Sequence, residues 1–188
     1  MKSQSMQNHF ITLERQREAI FPALQSLSMA QIWKRPQENK WSIGETMYHL
    51  YLITKMLRVA AVITIPCTKV FARMRRNKPF DSEINDIYKD YKEEHGKGMK
   101  AILDPPKKIH STMDFNELNQ ILTKESSKVA KIVEDIDEDL AGHIIFLDPV
   151  AHNPNLIQAI QLLAIHEAHH IRIIENDLGF LINKTDAE

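Results

Sequence analysis

Apolar residues recur at alternating steps of three and four along four long stretches of the chain, the period of one helix face. In the first, about Ser5 to Leu27, that face reads Phe10, Leu13, Arg17, Ile20, Leu24 and Leu27. Pro22 lies inside it and predicts a kink, because proline lacks the N–H its turn needs. The second stretch opens on Ser42 and Glu45, spaced as a capping box. It is expected to end at Ile65, where Pro66 stops it. Its face reads His49, Ile53, Met56, Ala60 and Ile63. The third starts at Asp114, capped with Glu117, and runs to about Ile136 through Phe115, Leu118, Leu122, Glu125, Val129 and Ile132. The last carries Leu156, Ala159, Leu163, His166, His170, Ile173 and Asp177 on one face. Asn153 is its expected cap, Pro154 its first helical position and Gly179 its stop. A shorter helical segment is expected from Asp81 to Glu94, ended by Gly96 and Gly98. Asp104-Pro105-Pro106 reads as a break, and Asp137 to Asn155 as a long connection. Four amphipathic helices with few strand signals predict an all-α four-helix bundle with an extra short helix between the second and third long ones.

Composition narrows this only a little. The chain of 188 residues fits a single domain over 1–188 and can bury a substantial core. Its 5 glycines are too few for a turn-rich all-β fold. A formal net charge of -1 gives no global pull toward nucleic acid or membrane. One cysteine, Cys67, excludes an internal disulfide and suits a reducing compartment. The first residues carry no apolar core of a secretory signal, and no apolar run looks long enough to span a bilayer. The expectation is a cytoplasmic protein.

Candidate chemistry lies where polar groups interrupt the apolar faces. His166 and His170 stand one turn apart on the last helix, and His49 is a third core-facing histidine on another helix. An imidazole buried without a partner is costly. Histidines at i and i+4 direct two nitrogens at one point, which suits a divalent metal. The competing reading is a hydrogen bond to a neighbouring helix. Three neutral imidazoles match the ligand count of a catalytic site with an open position. Arg17 reads as a snorkelling side chain or an ion-pair partner. Glu125 reads either as a group facing the histidines or as a boundary residue paired with a base such as Arg17. Glu45 has a capping job. Lys69, Arg73, Arg75, Arg76 and Lys78 read as a solvated face, with anion binding as the functional alternative. Cys67 lacks any spacing that places it near the histidines.

His166-Glu167-Ala168-His169-His170 also fits H-E-x-x-H, the helix of zinc proteases, with Glu167 as general base. The extended form of that motif wants glycine at 173 and histidine at 176, where this chain has Ile173 and Asn176. Only 18 residues follow His170, little for half of a protease cleft. Glu175 is the downstream acid and stands close to the motif. Glu167 is therefore expected on the flanking face of the helix.

Two blocks together resemble the DinB/YfiT-like metal-binding proteins. Trp41-Ser42-Ile43-Gly44-Glu45 followed by His49-Leu50 is similar to that family's W-S-x-x-E-x-x-x-H-L at the start of the second helix. His166-Glu167-Ala168-His169-His170 is similar to its H-x-x-H-H on the last helix. The resemblance implies a four-helix bundle with His49, His166 and His170 as ligands to a divalent transition metal such as Zn, Ni or Fe. His169 matches a recurrent family position but lies off the ligand face of the helix. It implies a cytoplasmic protein, commonly a homodimer. Family members include S-transferases and isomerases that use low-molecular-weight thiols, and others named as metal-dependent hydrolases or DNA-damage-inducible proteins. The expected function is thus transfer of a small thiol to an electrophile, with hydrolysis by a metal-activated water or a non-catalytic binding role as alternatives. Relatives often place glutamine three residues after the last ligand. Ile173 stands there, so the substrate class is less defined than the metal.

Overall fold

The structure, a computed structural model, describes residues 1–84, 103–109, 112–148 and 151–185. Among them are six α-helices and no strand. These are α1 (Gln4–Gln25), α2 (Met29–Ile32), α3 (Ile43–Arg75), α4 (Phe115–Val133), α5 (Glu138–Ala141) and α6 (Leu156–Thr185). The long helices α1, α3, α4 and α6 form the bundle. The early residues of α1 and the late residues of α3 and α4 share one core cluster with the start of α6. The opposite ends meet in a second cluster around Trp33, Ile43, Phe115 and Ile174. So α1 and α6 run one way and α3 and α4 the other; the connection from α3 to α4 joins opposite ends of the bundle, whereas the one from α4 to α6 joins ends in the same cluster.

Local chemistry sets the helix starts. Ser42 accepts from the Glu45 N–H while the Glu45 carboxylate accepts from the Ser42 N–H, a reciprocal cap. Asp114 and Glu117 do the same for α4. Gly44 is required for space: a Cβ there would stand 2.9 Å from the Trp33 ring. That indole is held by its Nε1 donating to the Met113 carbonyl at 2.7 Å.

Several expectations are corrected. α3 continues through Pro66 to Arg75, because Ala61, Ile65 and Ala72 on both sides of the proline are buried in one cluster. That packing offsets the bond lost at the proline. The helix is long and apolar enough to cross a bilayer by length and composition, contrary to the expectation that no apolar run reaches that length. Its buried stripe also differs. Met56 and Ile63 face outward, and Thr54, Ala61, Ile65 and Ala72 face inward. His49 is nonetheless buried, because the first turns of α3 are enclosed on every side: Ile43 to Met47 are all buried, as are His49 and Leu50.

The cap of α6 is Asn155, which exchanges hydrogen bonds with Gln158. Asn153 cannot cap it, because its φ of 56° is left-handed whereas a cap residue is extended. Instead its side chain accepts from the Asp148 N–H. Gly179 is passed by the helix, with open space around it. The connection from 137 to 155 contains α5 and a bridge between Ile145 and Asn155. Residues 81–84 are not helical, and the rest of the segment expected from Asp81 to Glu94, with Gly96 and Gly98, lies outside the described residues.

Candidate metal centre

His49, His166 and His170 come together between the two core clusters. Each offers one nitrogen, and the three lie within 4.8 Å of one another. The ring centroids stand 4.6–5.0 Å apart. All three side chains are buried. The His49 Nδ1–H donates to the Leu103 carbonyl at 2.7 Å, which leaves the Nε2 lone pair facing the site. That nitrogen lies 3.1 Å from His166 Nε2. Two imidazole nitrogens at such a separation share either a proton or a cation. On one tetrahedral zinc, nitrogens at about 2.0–2.1 Å from the ion stand about 3.3 Å apart, so the pair fits a metal. The Leu103 carbonyl is the kind of outer partner that fixes the tautomer of a ligating histidine.

Burial keeps the three rings neutral, as ligands must be. It lowers the His49 pKa, partly offset by the Leu103 carbonyl and by Asp104. Burial, and then the neighbouring histidines, hold His166 well below its ordinary value and bring His170 down to about 3. Trp41 walls the centre, its ring 4.9 Å from His49 and stacked 6.3 Å from His170. His169 meets His170 edge to face at 5.2 Å and is outside the cluster, as its position on the helix predicts.

Glu167 has a partner that sequence reasoning assigned elsewhere. The Arg17 Nε and Nη2 donate to its two carboxylate oxygens at 2.5 and 2.7 Å, and Nη2 donates also to Ser126 Oγ at 2.9 Å. The pair joins α1 to α6 with Glu167 only 1% exposed. A carboxylate locked in this fork does not serve as the general base of a zinc protease. Glu125, paired in expectation with Arg17, is held instead by Arg58 and Lys128 and does not join the histidines. Burial works to raise its pKa, but hydrogen bonds from Arg58 and Lys128 bring the net value below the usual carboxylate one. Glu125 and Arg17 were visible as lone charges on apolar faces, whereas Glu167 was expected on the flanking face of its helix. Which base met which acid depends on how far each helix is rotated in the bundle, and the spacing does not encode that.

Glu45, besides its capping role, takes a two-pronged pair from Arg35 at 2.5 and 2.9 Å. Glu175 is exposed and is not in the histidine cluster. The basic stretch is a solvated end of α3, where Arg76 pairs with Asp139 at 2.7 Å. Cys67 is exposed, 18 residues beyond His49 on the same helix, or about 27 Å along its axis.

Comparison with curated proteins and with solved structures returns no match. A family model described as the DinB superfamily matches residues 12–174, a span that holds all three histidines and most of the bundle. The chain belongs to the DinB superfamily.

Proposed function

We propose that the protein is a metal-dependent enzyme that transfers a low-molecular-weight thiol to an electrophilic substrate, with His49, His166 and His170 as the metal ligands. The observation that carries this reading is the convergence of three buried imidazole nitrogens from two helices within 4.8 Å. A divalent transition metal held there with an open position supplies acidity, lowering the pKa of a thiol or a water placed beside it.

The chain's own residues do the rest. The Leu103 carbonyl holds the His49 ring in the tautomer that presents Nε2. The apolar surroundings keep the imidazoles unprotonated. Trp41 gives the reacting groups an aromatic wall and excludes water on that side. In the transfer, the thiol sulfur bonds to an electrophilic carbon, the bond to the leaving group breaks, and the thiol proton passes to solvent. Such a transfer does not call for a carboxylate base at the centre, and Glu167 is committed to Arg17. That commitment favours thiol transfer over a hydrolysis driven by Glu167.

We also propose that two copies associate through the outer face of α3. Val59, Val62, Ile63, Val70, Phe71 and Met74 are exposed there, Phe71 by 69% and Met74 by 78%. An apolar face of this length on a helix is characteristic of a covered surface.

The functional test is consumption of a small thiol with a haloalkane or epoxide by the metal-loaded protein. The reading predicts thiol-dependent product formation that disappears in His166→Ala. Metal-loaded protein that forms no thioether above the uncatalysed rate, yet hydrolyses ester or amide substrates, would replace it with the hydrolase reading.

A further inference from the structure

Four carboxylates are buried among the described residues: Glu45, Glu125, Glu167 and Asp177. Glu45 is paired with Arg35, Glu125 with Arg58 and Lys128, and Glu167 with Arg17. Asp177 differs. It is 8% exposed, and its buried Oδ2 meets no hydrogen-bond partner among the described residues. Burial raises its pKa, opposed in part by the charge of Lys40, with which it makes no ion pair among the described residues. An unpaired carboxylate in such a place is costly. Among the described residues only the charge of Lys40 offsets part of that cost, and no donor reaches Oδ2.

The position of Asp177 says what does. It follows His170 by seven residues, so it lies within about 20° of it around the α6 axis and about 10 Å further along. It is thus on the face that presents His166 and His170. Lys40, the charge that reaches it, is next in the chain to Trp41, whose ring stacks on His170. An aromatic face and an unpaired carboxylate are the two groups that recognise an organic ammonium, one by cation–π attraction and one by charge-assisted hydrogen bonds.

We propose that Asp177, with Trp41 as the intervening wall, is the subsite that anchors a cationic amine of the substrate about 10 Å from the three-histidine centre. The substrate class is then a thiol, or its electrophilic partner, bearing an ammonium group some six bonds from the reacting atom. This rests on the proposed function for what happens at the histidines, but the subsite itself does not need a metal.

The test separates the two. On the full chain as purified, hexylammonium and hexanol are titrated while the Trp41 indole resonance is followed by NMR. Trp33, tied to the Met113 carbonyl, is the internal reference. Hexylammonium should shift Trp41 with an affinity at least tenfold above that of hexanol, and Asp177→Asn should abolish the difference. Asp177→Asn should also melt no lower than the wild type, because the substitution removes a buried acid whose Oδ2 has no donor among the described residues. Equal affinity for the two ligands, a preference that survives in Asp177→Asn, or a lowered melting temperature in that variant would overturn the subsite. In a second arm, the Co²⁺-loaded chain is titrated with 6-aminohexane-1-thiol and 6-mercaptohexan-1-ol. A tenfold preference for the aminothiol, lost in Asp177→Asn, supports the subsite. Equal perturbation of the cobalt spectrum by both thiols sinks it and leaves the thiol centre standing. If neither thiol perturbs the spectrum, the thiol reading fails, and the amine titration still decides the subsite.

Discussion

At the scale of single residues, the Arg17–Glu167 pair and the three histidines form adjoining polar clusters in an apolar bundle. Removing one member of the ion pair leaves a buried charge without its partner. Arg17→Met should therefore cost about 3–5 kcal/mol of unfolding free energy, measured by urea titration. Arg17→Met combined with Glu167→Met should recover most of that loss, because no unpaired charge remains. If the double variant is no more stable than Arg17→Met, the pair is not the coupled unit its geometry implies. The histidines make a separate prediction in pH. Their folded pKa values lie below the unfolded value of about 6.5, with His170 at about 3. As pH falls below about 6.5 the unfolded chain takes up protons that the folded chain refuses. Stability of the metal-free protein is thus complete above that pH and declines as pH drops toward 3. The slope is on the order of 1.4 kcal/mol per pH unit for each histidine involved. Urea unfolding in chelator at pH 7 and pH 5.5 reads it, and His166→Gln should flatten it. A wild-type slope no steeper than that variant's would show that the site histidines titrate normally.

At the scale of elements, the capping boxes and the apolar periods were legible, and so were the starts of α3 and α4. The ends were not. Pro66 and Gly179 are local stop signals, and both helices run past them; at Pro66, burial on the far side at Ala72 outweighs a local preference of a few kcal/mol at most. The pattern also misread which side of α3 faces in. His49, Met56 and Ile63 share a face, yet only the first is buried, because enclosure at the start of α3 comes from Trp33, Trp41 and residue 103 rather than from a continuous stripe. Two substitutions check this account. Pro66→Ala, at an exposed position, should raise stability by roughly 2–3 kcal/mol and leave the metal site unchanged. Gly44→Ala should lower it by about 1–3 kcal/mol, because the new methyl meets the Trp33 ring, which is pinned by its bond to Met113. A neutral Gly44→Ala would mean that the indole yields, and that the packing under the start of α3 is looser than described.

At the scale of the whole molecule, the all-α class and the three histidines that cluster could be read because both rest on periodicity and on two short blocks. The base–acid pairings and the unpaired Asp177 could not, since they depend on the rotation and depth of helices far apart in sequence. The exposed face of α3 was hidden for the same reason: an apolar residue looks alike in sequence whether it meets the core or another copy. Ile63→Glu with Phe71→Glu should convert the dimer proposed for the protein into a monomer of unchanged helicity, read by sedimentation velocity and circular dichroism. A wild-type chain that sediments as a monomer at concentrations of tens of micromolar would leave that face without its proposed occupant.

The central claim is that His49, His166 and His170 hold one divalent metal ion. It is tested most directly by metal analysis after dialysis against a trace of Zn²⁺ or Co²⁺, on the wild type and on His49→Ala, with melting temperature as the control for folding. The account predicts one equivalent of metal per chain in the wild type, a large loss in a folded His49→Ala, and little change in His169→Ala. Metal retained in full by His49→Ala, or absent from a folded wild type, would contradict it.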